Sequence, residues 1–284
     1  MLLLFLLMFS GKFSDQENAW RAEREASMKS ENSWLTIVGL YWLEEGPNRF
    51  GTDSDIEIVL PTHSTVAHAG IFTYRDGKVT YKMNRAQRMM VDGKIRNEGE
   101  LALGEIASHN HLRMFLIERG GRIALRVRDL RARNFVDFKE LDFYRPKEKY
   151  VVDAVFEPYD QVKTIQISTI IQTEIELLVP GVLKFEYRGK SYEILPTLET
   201  MEDKQFFIML KDQTSGATTY GGGRYMYVPR PEGQTLKLNF NRAYNPPCAY
   251  TDHATCPLPP PENWLDFPIE AGERLYKRPG SSDH

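Results

Sequence analysis

Cysteine is scarce: the 284-residue chain holds two, Cys248 and Cys256. No disulfide framework can therefore stand in for a hydrophobic core. Long apolar runs are missing too. The stretch from Leu2 to Phe9 has eight apolar residues, whereas a membrane-spanning helix takes about 20; no transmembrane span is expected. Excess charge of one sign is also absent. A net charge of −3 and a pI of about 6.1 give no electrostatic case for a nucleic-acid partner. Strand and helix patterns do not alternate, which argues against a doubly wound parallel sheet. No nucleophile–base–acid set and no phosphate-cradling glycine loop opening a helix is recognisable. Neither a cofactor nor a metal is expected.

What is present is ordinary globular material, 42% hydrophobic with 15 Phe, 14 Tyr and 4 Trp, enough to bury a sizeable core. The run Leu2–Phe9 fits the h-region of a secretory signal, although a basic residue before it and an A-x-A cleavage site are lacking. Residues 1–13 are read as a signal segment and the protein as exported: periplasmic, envelope-associated or secreted. A cytoplasmic location follows if that run is not a signal. Ala19, Ala22 and Ala26 with Trp20 and Met28 give a loose helical stripe, so 14–33 is read as one N-terminal helix. Beyond Trp34 the pattern is of short alternating strands. Turn signals stand at Arg75-Asp76-Gly77-Lys78 and Val91-Asp92-Gly93-Lys94. Strands are expected at 151–157, 163–172, 174–179, 182–187, 190–195, 205–211, 224–228 and 235–240. From Asn245 to Pro268 the chain is proline-rich and must run as an irregular coat. The fold class is mainly β: an antiparallel sandwich or barrel with one N-terminal helix and that coat. A β-sandwich over 34–145 is followed by a second β domain over 146–278.

The chemistry-bearing residues concentrate late in the chain. Cys248 and Cys256 are separated by seven residues, with His253 three before the second. A disulfide pinning the coat competes with buried thiols, a metal site and a nucleophile; the disulfide is favoured. Asn239-Phe240-Asn241 should alternate on a strand, both amides on one face. Tyr244-Asn245-Pro246 should turn, with the Asn side chain bonding its own backbone. The glycine run Tyr220-Gly221-Gly222-Gly223-Arg224 precedes a strand, which suits close approach of a ligand or of the coat. The candidate ligand-binding set is Asp212, Tyr220, Arg224, Asn241, Tyr244 and Asn245, with no catalytic residue assigned. Seven arginines between Arg113 and Arg133 read as a solvated strand face, and His109-x-His111 reads as surface.

The motifs from Asp212 to Gly216, Thr219 to Tyr225, Asn239 to Tyr250, Ala254 to Asn263 and Ile269 to Glu273 resemble the bacterial domain-of-unknown-function family numbered 1684. Trp34-Leu35-Thr36, Val38-Gly39-Leu40, Trp42-Leu43 and Asn48-Arg49-Phe50-Gly51 resemble its opening motif. That family usually has Asp-Phe-Asn where this chain has Asn239-Phe240-Asn241. The resemblance implies a β-rich protein and carries no activity with it. In the first half, Glu45–Gly51, Asp55–Pro61, Thr65–Ala69 and Val91–Gly93 resemble, in order, a forkhead-associated sandwich, with Thr65 and His68 at its Ser-x-x-His pair. Thr52 stands where its phosphate-binding arginine belongs, which argues against phosphopeptide binding. Three functions follow as expectations: binding of a polar small molecule or glycan, hydrolysis of a small polar substrate by Asp212, Glu262 or Cys248, or a degenerate interaction module. The sequence names no protein partner.

Overall fold

The computed structural model describes residues 12–279; most of the expected signal segment, residues 1–11, lies outside the described residues. The N-terminal helix spans Phe13–Met28 and stops short of residue 33. Its docked face differs from the expected one. Ala19, Ala22 and Ala26 are exposed, while Glu17 and Met28 are buried and Trp20, Arg21, Arg24 and Glu25 half-buried. Those buried positions recur every three or four residues, the period of one helix face, but the stripe is largely charged. Ser33 then stops the chain's drift: its hydroxyl accepts from the Leu35 N–H and starts a short 3-10 turn over Trp34–Thr36.

Residues 37–129 form two sheets that face each other. One has the strand order Ile37–Trp42, Arg122–Asp129, Leu112–Arg119, Ala107–His109, Met90–Val91, Lys94–Ile95; the other runs Ile58–Val59, Gly46–Gly51, Gly70–Arg75, Lys78–Met83, Glu98–Glu100. Phe50, Phe72 and Tyr81 from the second meet Met114, Leu125 and Val127 from the first in one core. Both expected hairpin turns form, with Asp76-Gly77 and Asp92-Gly93 at positive φ as a tight primed turn requires. Pairing is antiparallel except between Gly46–Gly51 and Ile58–Val59, which run parallel.

In the second half, four expected strands fuse into two long ones, Val151–Ser168 and Glu174–Tyr187. They pair throughout, with a register break between Pro158 and Lys163. Gly181 therefore lies inside a strand and not in a turn. It sits opposite Pro158, where a Cβ would come within 2.3 Å of the Glu157 carbonyl oxygen. Lys190–Ile194 and Thr235–Asn239 complete that four-stranded sheet, and Gln205–Leu210 pairs with Arg224–Pro229 in a two-stranded one. Phe185, Phe206, Leu238, Phe240 and Ile269 lie in the core between them.

The proline-rich coat lies against this half through scattered backbone bonds. Leu258 N–H reaches Ser168 O, Ile170 N–H reaches Cys256 O, and Lys211 exchanges bonds with Asn263 and Leu265. Gly223, at φ +90, is the close-approach glycine: a Cβ there would lie 2.6 Å from both Pro259 Cγ and Leu210 O. Among the described residues no helix is long and apolar enough to cross a membrane.

Candidate functional site

The Asp212–Arg224 and Asn239–Asn263 segments meet, and two arrangements result. The first is a closed clasp. Arg224 and Asp212 form a 2.8 Å ion pair with both side chains fully buried. Arg224 Nη2, which bonds Asp212, also donates to the Ile269 carbonyl (2.9 Å), and Arg224 Nη1 donates to that of Ala271. Asp212 Oδ1 accepts from Thr214 N, Thr214 Oγ1 and Ile269 N at 2.7–3.0 Å. Irregular backbone must find donors and acceptors somewhere, and here one buried ion pair supplies them to the end of the coat. Arg224 thus points at residues 269–273, beyond Asn241 and Tyr244. With both side chains fully buried and only Arg224 Nε lacking a partner, the pair is a structural fastening.

Asn241 and Asn239 also serve structure. The strand ends at Asn239 and the chain turns into a 3-10 turn over Phe240–Arg242, so the expected alternation breaks. The two amides still meet: Asn241 Nδ2 donates to Asn239 Oδ1 at 3.0 Å, and Asn241 clamps Lys147 through both N–H and C=O. Asn245 does not bond its own turn. Its side-chain amide donates to Arg274 O at 2.7 Å, and its Oδ1 is buried without a partner.

The second arrangement is a box built from Tyr244, Asn245, Tyr250 and Glu273. Glu273 is fully buried. Its Oε2 accepts from Tyr250 Oη (2.7 Å) and from the Asn245 backbone N–H (2.8 Å). Its backbone is fixed by a bond to Ala243 O and by Gly272, where a Cβ would lie 2.2 Å from Ala243 O. The remaining oxygen, Oε1, accepts from Arg24 Nε of the N-terminal helix at 2.8 Å. The Arg24 guanidinium lies 4.9 Å from the Tyr244 ring centroid and 5.9 Å from that of Tyr250, and its Nη2 donates to Tyr250 Oη. Burial would lower the Arg24 pKa, but the Glu273 carboxylate and Tyr250 outweigh it and raise it above the ordinary value. Burial first, then the same carboxylate, pushes the Tyr250 phenol far upward, so it stays a donor. Tyr244 extends into an aromatic wall with Tyr225, Tyr227 and Phe207. Glu17 continues the helix contact, pairing with Arg242 (3.1 Å) and accepting from Asn239 Nδ2. A cleft of about 250 Å³ opens beside this edge, lined among others by Gln16, Glu17, Tyr227 and Arg242. Arg24 and Glu273 were not singled out from sequence. The one available signal was that Glu273 closes the Ile269–Glu273 motif.

The cysteines are adjacent but unpaired: both are buried free thiols, and the Cys248 N–H donates to Cys256 Sγ at 3.1 Å. This differs from the expected disulfide. The hydrogen bond from the Cys256 thiol draws the Cys248 pKa down and pushes that of Cys256 up. Tyr220 joins the pair, its hydroxyl donating to Cys248 O at 3.4 Å. No group of three or more metal-ligating side chains occurs among the described residues.

Two surface expectations are corrected. Arg126 is buried at 5% exposure, lies over the Trp34 ring, and has Nε and Nη2 without hydrogen-bond partners. Burial, with Arg119 and Arg128 nearby, lowers its pKa to about 10. His109 is buried as well, contacting Thr65 Oγ1 (2.6 Å) and Arg88 O (2.7 Å). Thr65 thus partners His109, while His68 faces Asp53 at 3.3 Å.

An uncharacterised protein of Haloarcula marismortui, solved by NMR, is 33% identical over 49% of this chain and 78% of its own length, with a TM-score of 0.43. Residues 136–274 match the family described as "Protein of unknown function (DUF1684)". The chain belongs to this family. Two forkhead-associated domains are also similar. The FhaA domain, solved in complex with the intracellular domain of Rv3910, is 19% identical over 31% of this chain and 86% of its own, at a TM-score of 0.24. The FHA-2 domain of a Mycobacterium tuberculosis ABC transporter is 23% identical over 29% and 76%, at 0.24. No curated protein matches the chain. Every motif assigned to the box, from Asn239 to Glu273, falls within the matched family segment, whereas the helix that carries Arg24 lies wholly outside 136–274.

Proposed function

We propose that this family member binds a polar small molecule in the Tyr244–Asn245–Tyr250–Glu273 box and performs no chemistry on it. One observation carries the reading. The coat holds the Glu273 carboxylate from one side only, through Tyr250 and Asn245, and the charged group that satisfies the other oxygen comes from the N-terminal helix. A preorganised acid beside aromatic faces, with one oxygen left to an exchangeable donor, is what a polar binding pocket consists of. Of the groups offered for hydrolysis, Asp212, Glu262 and Cys248, Asp212 is committed to Arg224 and none belongs to the box, which favours binding over catalysis. The reading extends to an exported protein. In an oxidising compartment the adjacent Cys248 and Cys256 thiols would close to a disulfide, pinning the coat that frames the box.

The test is equilibrium binding of a panel of neutral, anionic and cationic small polar molecules to the full chain, by calorimetry, in wild type and Tyr244→Ala. A ligand whose affinity falls at least about tenfold in the variant supports the reading. If every ligand that binds does so equally well to both chains, the box is not the site.

A further inference from the structure

We propose that the ligand class of this box is an organic cation with a guanidinium head, and that the N-terminal helix is its tethered competitor, with Arg24 standing in the ligand's place; this rests on the reading above. Four observations converge. First, Glu273 Oε2 is saturated by donors that belong to the framework, so the carboxylate keeps its position and orientation whether or not the helix is docked. Second, the group that completes the box is a planar fork. Arg24 places Nε on Glu273 Oε1 and Nη2 on Tyr250 Oη while lying over Tyr244. That combination of divergent N–H donors and a flat face against an aromatic ring is the recognition mode of guanidinium, which a spherical ammonium only half reproduces.

Third, the helix carrying Arg24 is held mainly by polar contacts. Its inward side meets the body through Glu17 on Arg242 and Asn239, Arg21 on Tyr144 O, Glu25 on Leu141 N, and Arg24 on Glu273. Trp20 against Phe143 and the buried Met28 are its main apolar anchors. Its alanines face solvent, so apart from Met28, Trp20 and the rings they and Arg24 cover, what lifting the helix breaks is polar contact that water can replace. Such a contact is reversible in a way that a leucine-faced helix is not. Fourth, lifting it uncovers a carboxylate oxygen that the body of the protein does not satisfy by itself. Glu273 is fully buried while the helix is docked, and its Oε2 stays held by Tyr250 and Asn245 when Oε1 is uncovered. In the undocked state a cation competes with water for that preorganised oxygen, and a charge-assisted hydrogen bond to a fixed carboxylate favours the cation. Docked helix and bound cation exclude each other because both need Glu273 Oε1.

The experiment uses the full chain, with ethylguanidinium and tetramethylammonium chlorides as probes at millimolar concentration and ionic strength held constant with sodium chloride. Calorimetry gives affinity; amide hydrogen exchange over Phe13–Met28 and Trp20 fluorescence report the helix. Ethylguanidinium is expected to bind wild type and to speed exchange in the helix as it saturates. Arg24→Ala should bind it roughly tenfold or more tightly, because the competitor is gone, and should prefer it to tetramethylammonium by a similar factor. Adding Glu273→Gln to Arg24→Ala should abolish binding. Should that buried substitution fail to fold, Tyr250→Phe, which removes one donor to Oε2 with little change of volume, should weaken binding severalfold.

Binding to Arg24→Ala without any binding or helix release in wild type overturns the proposal, since the box is then only a socket for Arg24. Equal affinity in the two chains overturns it as well. A neutral or anionic ligand that depends on Tyr244 overturns the cation assignment while leaving the binding function standing.

Discussion

At Arg224 and Asp212, full burial decides the energetics. Truncating the arginine leaves a buried carboxylate without countercharge and frees the carbonyls of Ile269 and Ala271. Arg224→Ala should therefore cost about 3–5 kcal/mol in urea unfolding, and Arg224→Met combined with Asp212→Leu should recover much of it. A double variant as unstable as the single one would show that the carbonyl contacts, not the ion pair, hold the clasp. Arg126 presents the reverse situation: it is buried with two guanidinium nitrogens unpartnered and a pKa lowered to about 10 by burial and neighbouring arginines. Arg126→Met should leave stability unchanged or raise it by about 1–2 kcal/mol, read as a higher Tm; a clear loss would contradict the absence of a partner. The difference between these two arginines marks what single residues disclose. A glycine run beside Arg224 and a proline run downstream together signal close backbone passage, and Gly223 against Pro259 is that passage. Strand alternation put Arg126 on the outward face of its strand, but a face pattern does not say what covers the face. Here it is Trp34 from the preceding 3-10 turn.

The elements follow the same division between local and distant causes. The hairpins at Asp76-Gly77 and Asp92-Gly93 were readable because primed turns have their own residue chemistry. The fusion of four expected strands into Val151–Ser168 and Glu174–Tyr187 was not, because Gly181 marks a close crossing opposite Pro158 as readily as a turn. The N-terminal helix was legible as a helix, yet its docked stripe was not. Hydrophobic periodicity cannot reveal a face whose partners are Arg242, Glu273 and the Tyr144 carbonyl. In the coat, His253 adds a pH dependence. Burial lowers its pKa from the ordinary 6.5. The folded chain therefore holds this proton less tightly than the unfolded one, and acid favours unfolding. Its contribution is intact above pH 6.5 and is lost progressively as pH falls below that value. His253→Asn should flatten the stability difference between pH 7.5 and 5.5 relative to wild type, measured by denaturant midpoints; an unchanged slope would place the acid sensitivity elsewhere.

Among the described residues the two largest hydrophobic cores lie within 43–127 and within 150–271, and the coat and C-terminal segment touch the elements around both. Thr251 Oγ1 donates to Ile37 O at 3.0 Å on a strand of the first core. Asn134 Nδ2 donates to Tyr250 O at 2.6 Å, and Tyr276 Oη returns to Asn134 at 3.1 Å. Phe143 bridges to Glu273, and Tyr144 N–H reaches Gly272 O. Arg224 in turn secures the 269–273 backbone from the side of the second core. A fastening that contacts both halves should couple their unfolding, because opening either one releases contacts that the other needs. Wild type is therefore expected to melt in one calorimetric transition whose calorimetric and van't Hoff enthalpies agree. Arg224→Ala should then shift that whole transition downward, including the probes in 37–129 that Arg224 does not touch. If Arg224→Ala instead splits the melt, with strands 37–129 keeping their wild-type midpoint by hydrogen exchange, the coat is only a surface attachment. The halves would then fold as separate domains meeting near residue 146.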